Sequence, residues 1–315
     1  MTYSSIEICA GAGGQALGLE QAGFKHKLLI ELEKWGTNTL KHNRPQWNVL
    51  QADINEWEPN EAVIGVDLFA GGVPCPPFSI AGKQLGKEDE RDLFTRAIDL
   101  VEVIKPRGVM LENVRGLLDP KFEEYRSEIL HRLSNAGYQG EWKLLQASDY
   151  GVPQLRPRAI LVALNTEDMQ RFEWPQPHPE AAPTVGEAVV DLMGANGWSG
   201  AESWAAGANR IAPTLVGGSK KHGGPDLGPT RARKAWLELG VIGTTIADEA
   251  PDADFVGQPR LTPKMMARIQ GFPDSWEITG RKTNSCRQIG NAFPPPVAKA
   301  VGSQIRSAFE ATDQA

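Results

Sequence analysis

Over its first half the chain alternates short apolar runs with stretches of helical periodicity. Residues 5–9 predict a short buried strand, followed by the loop Ala10-Gly11-Ala12-Gly13-Gly14. A helix is predicted from there to about Ala22, stopped by Gly23, because glycine adopts the left-handed backbone that ends helices. Residues 27–31 and 67–70 predict further strands. Leu93, Ala97, Val101 and Ile104 recur at helical spacing, and Pro106 ends that helix. Residues 108–111 are again strand-like; Phe122, Tyr125, Ile129 and Leu133 mark one helix face, and residues 158–164 form a β-rich apolar run. Strands alternating with helices predict an α/β domain with a largely parallel sheet over residues 1–170.

From about Arg171 the texture changes. Pro175, Pro177, Pro179 and Pro183 punctuate a linker-like stretch, and Gly, Trp, Ser and Asn are common up to Gly224. Periodicity is weak there, so residues 171–280 are read as a smaller, irregular domain without assigned elements. Residues 281–315 form a closing segment, in which Pro294-Pro295-Pro296 leads into an amphipathic helix carrying Val297, Val301, Ile305 and Phe309. No internal repeat is visible.

Composition changes this picture little. The 315 residues are 41 % hydrophobic and 23 % charged, as in an ordinary soluble globular protein. Cys9, Cys75 and Cys286 lack metal-ligand or disulfide-framework spacing, which fits a reducing, cytoplasmic setting and no metal. No secretory signal is visible at the N-terminus, and no apolar run approaches the ~18 residues of a membrane span. The net charge of −6 argues mildly against nucleic acid. Its distribution argues the other way: Lys220, Lys221, His222, Arg231, Arg233 and Lys234 face a single acid, Asp226, between Thr214 and Trp236. Taken alone, such a run is a solvated face.

Four constellations carry chemistry. The glycine loop lets the backbone approach a ligand at a helix N-terminus. Glu31, about 20 residues on, suits a ribose, and Asp53 an adenine amino group. The loop lacks the three-glycine dinucleotide fingerprint, so a nucleoside without a pyrophosphate fits better; many such turns serve packing only. In Gly71-Gly72-Val73-Pro74-Cys75-Pro76-Pro77-Phe78-Ser79 a thiol sits just past a strand end, its direction fixed by flanking prolines. A buried cysteine is usually a small hydrophobe, but that role calls for no prolines. Glu112-Asn113-Val114 offers an acid whose burial would raise its pKa toward neutrality, or else a salt-bridged glutamate. Gln154-Leu155-Arg156-Pro157-Arg158 sends two arginines toward one side, for an anion or a carbonyl oxygen, unless they are merely surface residues.

Together with Arg260-Leu261-Thr262-Pro263, Gln270-Gly271-Phe272-Pro273 and Arg287-Gln288-Ile289-Gly290-Asn291-Ala292, these blocks stand in the order and approximate spacing of one family. Over nearly its whole length the chain resembles the DNA (cytosine-5)-methyltransferases. The resemblance implies a Rossmann-like S-adenosylmethionine-dependent methyltransferase domain with a smaller, irregular target-recognition domain. It implies that Cys75 adds to C6 of a flipped cytosine, that Glu112 serves N3, that Arg158 holds O2, and that Arg156 supports the same pocket. Cys9, Ala10, Gly11, Ala12, Gly13 and Gly14 would wrap the methionine part of the cofactor. Glu31 would hold the ribose and Leu32, Asp53 and Ile54 the adenine, with Gly72, Pro74, Leu93, Asn291 and Ala292 completing the pocket.

Residues 79–91, with Gly82 and Gly86, would form a lid over the base. Ser79, Lys83, Gln154, Thr214, Lys220, Lys221, Arg231 and Arg233 are the expected DNA contacts, Thr214-Leu215 matching a small signature of target-recognition domains. Two departures stand out: Cys9 where an aromatic is common, and Pro76 where a glutamine is frequent. The expected protein is a cytoplasmic monomer acting on double-stranded DNA, with any cognate restriction endonuclease acting separately. A tRNA-directed member of the superfamily and a catalytically silent DNA-binding regulator are the competing readings.

Overall fold

The computed structural model describes residues 2–74, 93–178, 180–217 and 224–315. Cys75, Pro76, Ser79, Lys83, Lys220 and Lys221, and with them the anticipated lid, lie outside the described residues.

The first strand, β1 (Tyr3–Ile8), is nearly all buried and ends in the glycine loop that opens α1 (Gly14–Gln21). Gly23, at φ 94°, turns the chain from α1 into β2 (Phe24–Glu31). There follow α2 (Lys34–Asn43), β3 (Val49–Gln51), β4 (Leu68–Gly72), α3 (Leu93–Ile104), β5 (Gly108–Val114), α4 (Glu123–Asn135), β6 (Tyr138–Gln146) and β7 (Pro157–Asn165). The described strands form one seven-stranded sheet in the order β3-β2-β1-β4-β5-β7-β6. β1 to β5 run parallel, and β7 lies antiparallel between β5 and β6. Chain order reverses between β1 and β4, which opens a crevice at the carboxyl ends of these strands.

Elements matching the predicted ones contain β1, α1, β2, β4, α3, β5, α4 and β7. β6 escapes sequence reading because it is an edge strand with Gln, Glu and Lys on its exposed face. After α5 (Thr166–Met169), the irregular region is in fact helical in part: α6 (Val185–Met193), α7 (Ala201–Gly207), α8 (Thr230–Leu237) and α9 (Pro263–Ile269). α6 is short but well specified, with Val185, Val189 and Met193 buried on one face and a reciprocal Thr184–Glu187 capping box. These helices share a second core, where Trp236, Leu261 and Met266 pack with Cys286 and Ile289 of α10 (Lys282–Asn291) and with Leu17 of α1.

The closing helix, α11 (Pro295–Asp313), returns to the start of the chain. Its Phe309 meets the Tyr3 ring at 5.4 Å, and a Cβ at Gly18 of α1 would lie only 2.5 Å from Ala298, so the two helices touch backbone to backbone there. Arg107 staples this corner, donating to buried Asp168 at 2.6 and 2.7 Å and to Asp313 at 2.7 Å. Removing the Phe309 side chain would cost roughly 3–5 kcal/mol.

Candidate active site

A cavity of about 330 Å³ occupies the crevice at the carboxyl ends of β1, β2 and β4. Its floor is the turn after β1. Cys9, at φ 52°, and Gly11 and Gly13, at 54° and 82°, all take left-handed backbone there. For a cysteine that conformation costs of order 1 kcal/mol or more, so the surroundings must enforce it. Three contacts do so: Ala10 donates its amide to Ile30 O at 3.1 Å, Gly13 donates to Ala10 O at 2.9 Å, and the Trp276 indole donates to Ala12 O at 3.0 Å. Glycine at 13 also makes room, since a Cβ would come within 2.9 Å of Trp276.

Glu31, at the end of β2, accepts from Gly11 N and Glu33 N at 2.7 Å each. Burial nevertheless raises its pKa, outweighing those bonds. Glu7, one strand over, is held well above the usual carboxylate range by burial and by Glu31, and its Oε2 has no hydrogen-bond partner among the described residues. Burial likewise pushes the Cys9 thiol up. Leu32, Asp53, Ile54, Gly72, Pro74, Leu93, Asn291 and Ala292 all line the same space. The cofactor residues expected from the sequence thus converge, except that Gly13 stands behind the lining, against Leu40 and Trp276.

Glu112 closes the inner end of the cavity. Register places it beside Gly72 of β4, and a Cβ at Gly72 would stand 3.3 Å from its Oε2. Burial raises the Glu112 pKa, while Arg158 and then Arg156 pull it back. Arg158 Nε lies 2.5 Å from Glu112 Oε1. Its hydrogen does not point along that line, so this is an ion contact rather than an aligned hydrogen bond. Next to Glu112, the Asn113 side chain donates to Val73 O at 3.0 Å, fixing the end of β4 two residues before Cys75.

Arg156 precedes β7 and takes different partners. It is 1 % exposed and donates to Leu215 O at 2.9 Å, Gly290 O at 2.7 Å and Ala292 O at 3.1 Å. Gln154 is fully buried: its amide group donates to Gln270 Oε1 at 2.8 Å, and its oxygen accepts from Leu215 N at 2.8 Å. It therefore touches the segment around Leu215 rather than the surface. Thr214 Oγ1 donates to Leu155 O at 2.6 Å. Beyond Leu215, a Cβ on Gly217 would strike Asn291 Oδ1 at 2.1 Å, and one on Gly290 would strike Gly217 N at 2.3 Å. Arg231 and Arg233 fall on α8 two residues apart, a spacing that turns them to different faces.

Sequence reasoning missed several lining residues: Glu7, Trp35, Gly36, Asn284, Arg287 and Gln288. An acid inside the otherwise apolar end of β1 was the available signal for Glu7. On α10, Arg287 and Gln288 belong to a block that carries the resemblance, but the helix face that meets the cavity is fixed only by tertiary packing.

The chain matches the family model of the C-5 cytosine-specific DNA methylases over residues 3–307. It is 59 % identical over 310 residues to the type II methyltransferase M.NaeI of Lentzea aerocolonigenes, covering 96 % of this chain and 75 % of that one. With M.NgoMIV of Neisseria gonorrhoeae it shares 54 % over 313 residues, covering 98 % and 99 %. A Spodoptera frugiperda DNMT2 variant superposes with a TM-score of 0.65 at 16 % identity, covering 98 % of this chain and 100 % of that one, a likeness of fold. Among the described residues no helix is long and apolar enough to cross a membrane. With sequence match, fold and cavity in agreement, the chain belongs to the C-5 cytosine-specific DNA methylase family, as an S-adenosylmethionine-dependent DNA cytosine-5 methyltransferase of the type II restriction-modification kind.

Proposed function

We propose that the cavity under the glycine loop holds S-adenosylmethionine, and that the target cytosine enters between Glu112, Arg158 and the chain segment that begins at Cys75. The observation that carries this reading is the placement of Glu112. It is a buried acid of raised pKa, in contact with Arg158, on the wall of the nucleoside-sized cavity. The residues present fit the cofactor. Glu31 keeps free lone pairs for a ribose, Asp53 and Ile54 flank the opposite end, and several carboxylates suit a ligand carrying sulfonium and ammonium charge. The volume lies at the small end of the range for ligand sites.

When bound, S-adenosylmethionine supplies an electrophilic methyl group. Cytosine C5 is too weak a nucleophile to take that methyl unaided. The thiolate of Cys75 forms a bond to C6, which turns C5 into an enamine carbon. Glu112, whose pKa burial raises, donates in its protonated form to N3 and offsets the charge that develops on addition. Arg158 holds both the Glu112 carboxyl and O2 of the base. After methyl transfer, loss of the C5 proton and breakage of the bond from C6 to Cys75 release 5-methylcytosine. A base within a duplex cannot reach this depth, so the cytosine is flipped out at a cost of a few kcal/mol.

In this reading residues 171–280 recognise a specific duplex sequence, with Thr214, Lys220, Lys221, Arg231 and Arg233 at phosphates or base edges and Ser79 and Lys83 at the closing loop. Gln154 acts at one remove, by positioning Leu215. The enzyme works as a cytoplasmic monomer, and any cognate endonuclease acts separately. A duplex with 5-fluorocytosine at the target tests the chemistry, because fluorine cannot leave C5 as a cation. With S-adenosylmethionine present it should give a denaturation-resistant complex. Cys75→Ser should abolish that complex while sparing DNA binding; trapping that persists in the variant removes Cys75 from the mechanism.

A further inference from the structure

The turn after β3 carries Asp53 and Ile54 into the cavity wall. Its own bonds give it shape: Asp53 O accepts the amides of Glu56 and Trp57 at 3.2 and 3.0 Å, and Asp53 Oδ1 accepts that of Asn55 at 2.9 Å. None of these fixes where the turn stands. On its upstream side β2 does so, because Ala52 N donates to Glu31 O at 3.2 Å. On its downstream side the hold comes from α3. Arg96 Nε donates to Ile54 O at 2.9 Å, and Nη2 donates to Trp57 O at 2.7 Å and to Glu58 Oε1 at 2.9 Å.

The two carbonyl bonds outweigh the ion pair. The Glu58 side chain is 75 % exposed, where such pairs contribute little, while that of Arg96 is only 20 % exposed. A guanidinium offers its donors in a rigid planar fork, so one side chain spans both carbonyls; an ammonium on a flexible stem does not. Ile54 and Trp57 also pack in the apolar cluster that contains Phe94, and Leu93, three residues before Arg96 on α3, lines the cavity itself. Arg96 thus locks the turn to a helix that borders the same cavity, without lining that cavity itself.

Resting on the reading of Asp53 as the adenine contact, we infer that Arg96 is a positioning residue for the choice of donor base: pinned to α3, the turn presents the Asp53 carboxylate as an acceptor for an exocyclic amino group. Hypoxanthine carries a carbonyl in that place and sets acceptor against acceptor. Calorimetric binding of S-adenosylhomocysteine and S-inosylhomocysteine to the full chain and its variants tests this. The unaltered chain should prefer the adenine ligand by about 10-fold or more. Arg96→Ala should cut that preference by roughly five-fold, chiefly by weakening the adenine ligand, and should leave DNA affinity without cofactor unchanged. Arg96→Lys should fall between the two, and it carries the comparison if the alanine variant does not fold. Glu58→Gln, which removes only the exposed ion pair, should keep the preference within about two-fold. An unchanged preference in the Arg96 variants, or equal weakening of both ligands as from a merely structural role, overturns the assignment. No preference in the unaltered chain removes Asp53 from adenine recognition, and the inference falls with it.

Discussion

Arg158 Nε and Glu112 Oε1 stand 2.5 Å apart, each side chain about one-tenth exposed, at the point where β5 and β7 border the cavity. Burial holds the Glu112 proton on, and Arg158 works to take it off. The neutral acid is the form that can donate to N3, so single-turnover methylation should decline as pH rises through the raised Glu112 pKa. Arg158→Ala removes the main opposing influence and should move that decline to higher pH while lowering the maximum rate. Glu112→Gln should lose about 10²–10⁴-fold in rate and the titration with it. A decline that stays in place in Arg158→Ala assigns it to another group.

Trp276 reaches the cofactor floor from the far side of the second core, through one hydrogen bond to Ala12 O. Trp276→Phe keeps a ring to stack on Phe272 and deletes only the donor. The KM for S-adenosylmethionine should rise by roughly five-fold, the worth of one neutral hydrogen bond. DNA affinity measured without cofactor should not change. Parallel losses for both ligands would mean that Trp276 supports the fold generally rather than the turn.

Arg156 joins three segments at carbonyls of Leu215, Gly290 and Ala292. Arg156→Met leaves these acceptors buried without a donor and should destabilise the protein by about 3 kcal/mol or more. Urea unfolding reads that loss directly. The carbonyls flank both the cofactor cavity and the segment at Leu215, so KM should rise for S-adenosylmethionine and for DNA together, unlike the split expected at Trp276.

His26 is partly buried, with Nδ1 2.8 Å from Ser5 Oγ and Nε2 2.9 Å from Ala16 O, and desolvation pushes its pKa down to about 4. A histidine depressed on folding takes up a proton more readily when unfolded. Its contribution to stability is therefore complete above the unfolded value of roughly 6.5 and is lost as pH falls toward about 4. The loss amounts to as much as ~3 kcal/mol. Glu7, Glu31 and Glu112, with raised pKa values, act in the opposite direction over acid pH. The check is accordingly a difference: the unfolding midpoint should drop more between pH 7.5 and 5 in the unaltered chain than in His26→Gln. Identical slopes would remove His26 from the acid limb.

The legible parts of this protein were those governed by local rules. Alternating apolar runs gave the strands of the parallel half, and Gly23 and Pro106 ended helices where they stand in the structure. The glycine loop, Glu31 and Asp53 were legible in the residues themselves, because a turn after a buried strand has few ways to present its backbone, whereas Leu32, Ile54, Gly72, Pro74, Leu93, Asn291 and Ala292 followed only from the family resemblance. The rest depended on distant packing. Arg156 and Arg158 look equivalent in sequence, yet β7 begins at Pro157, so only Arg158 is set by strand alternation and Arg156 follows the carbonyls offered by α10 and Leu215. α6 is opened by the capping pattern Thr184-x-x-Glu187, a local signal that the weak apolar periodicity of that region does not reveal.

The contact between Gly217 and Gly290 bears on how such enzymes acquire new targets. These two residues meet with no space for a side chain on either, and Asn291 of the cofactor cavity lies in the same contact. If residues 171–280 read the DNA as proposed above, a segment transplanted from a relative can bring any residues it likes to the bases. It must still offer a bare backbone opposite Gly290 and a carbonyl for Arg156, or the graft will prise open the methyl-donor site as it docks. Exchange of specificity should therefore succeed or fail at this seam, far from any base pair being read.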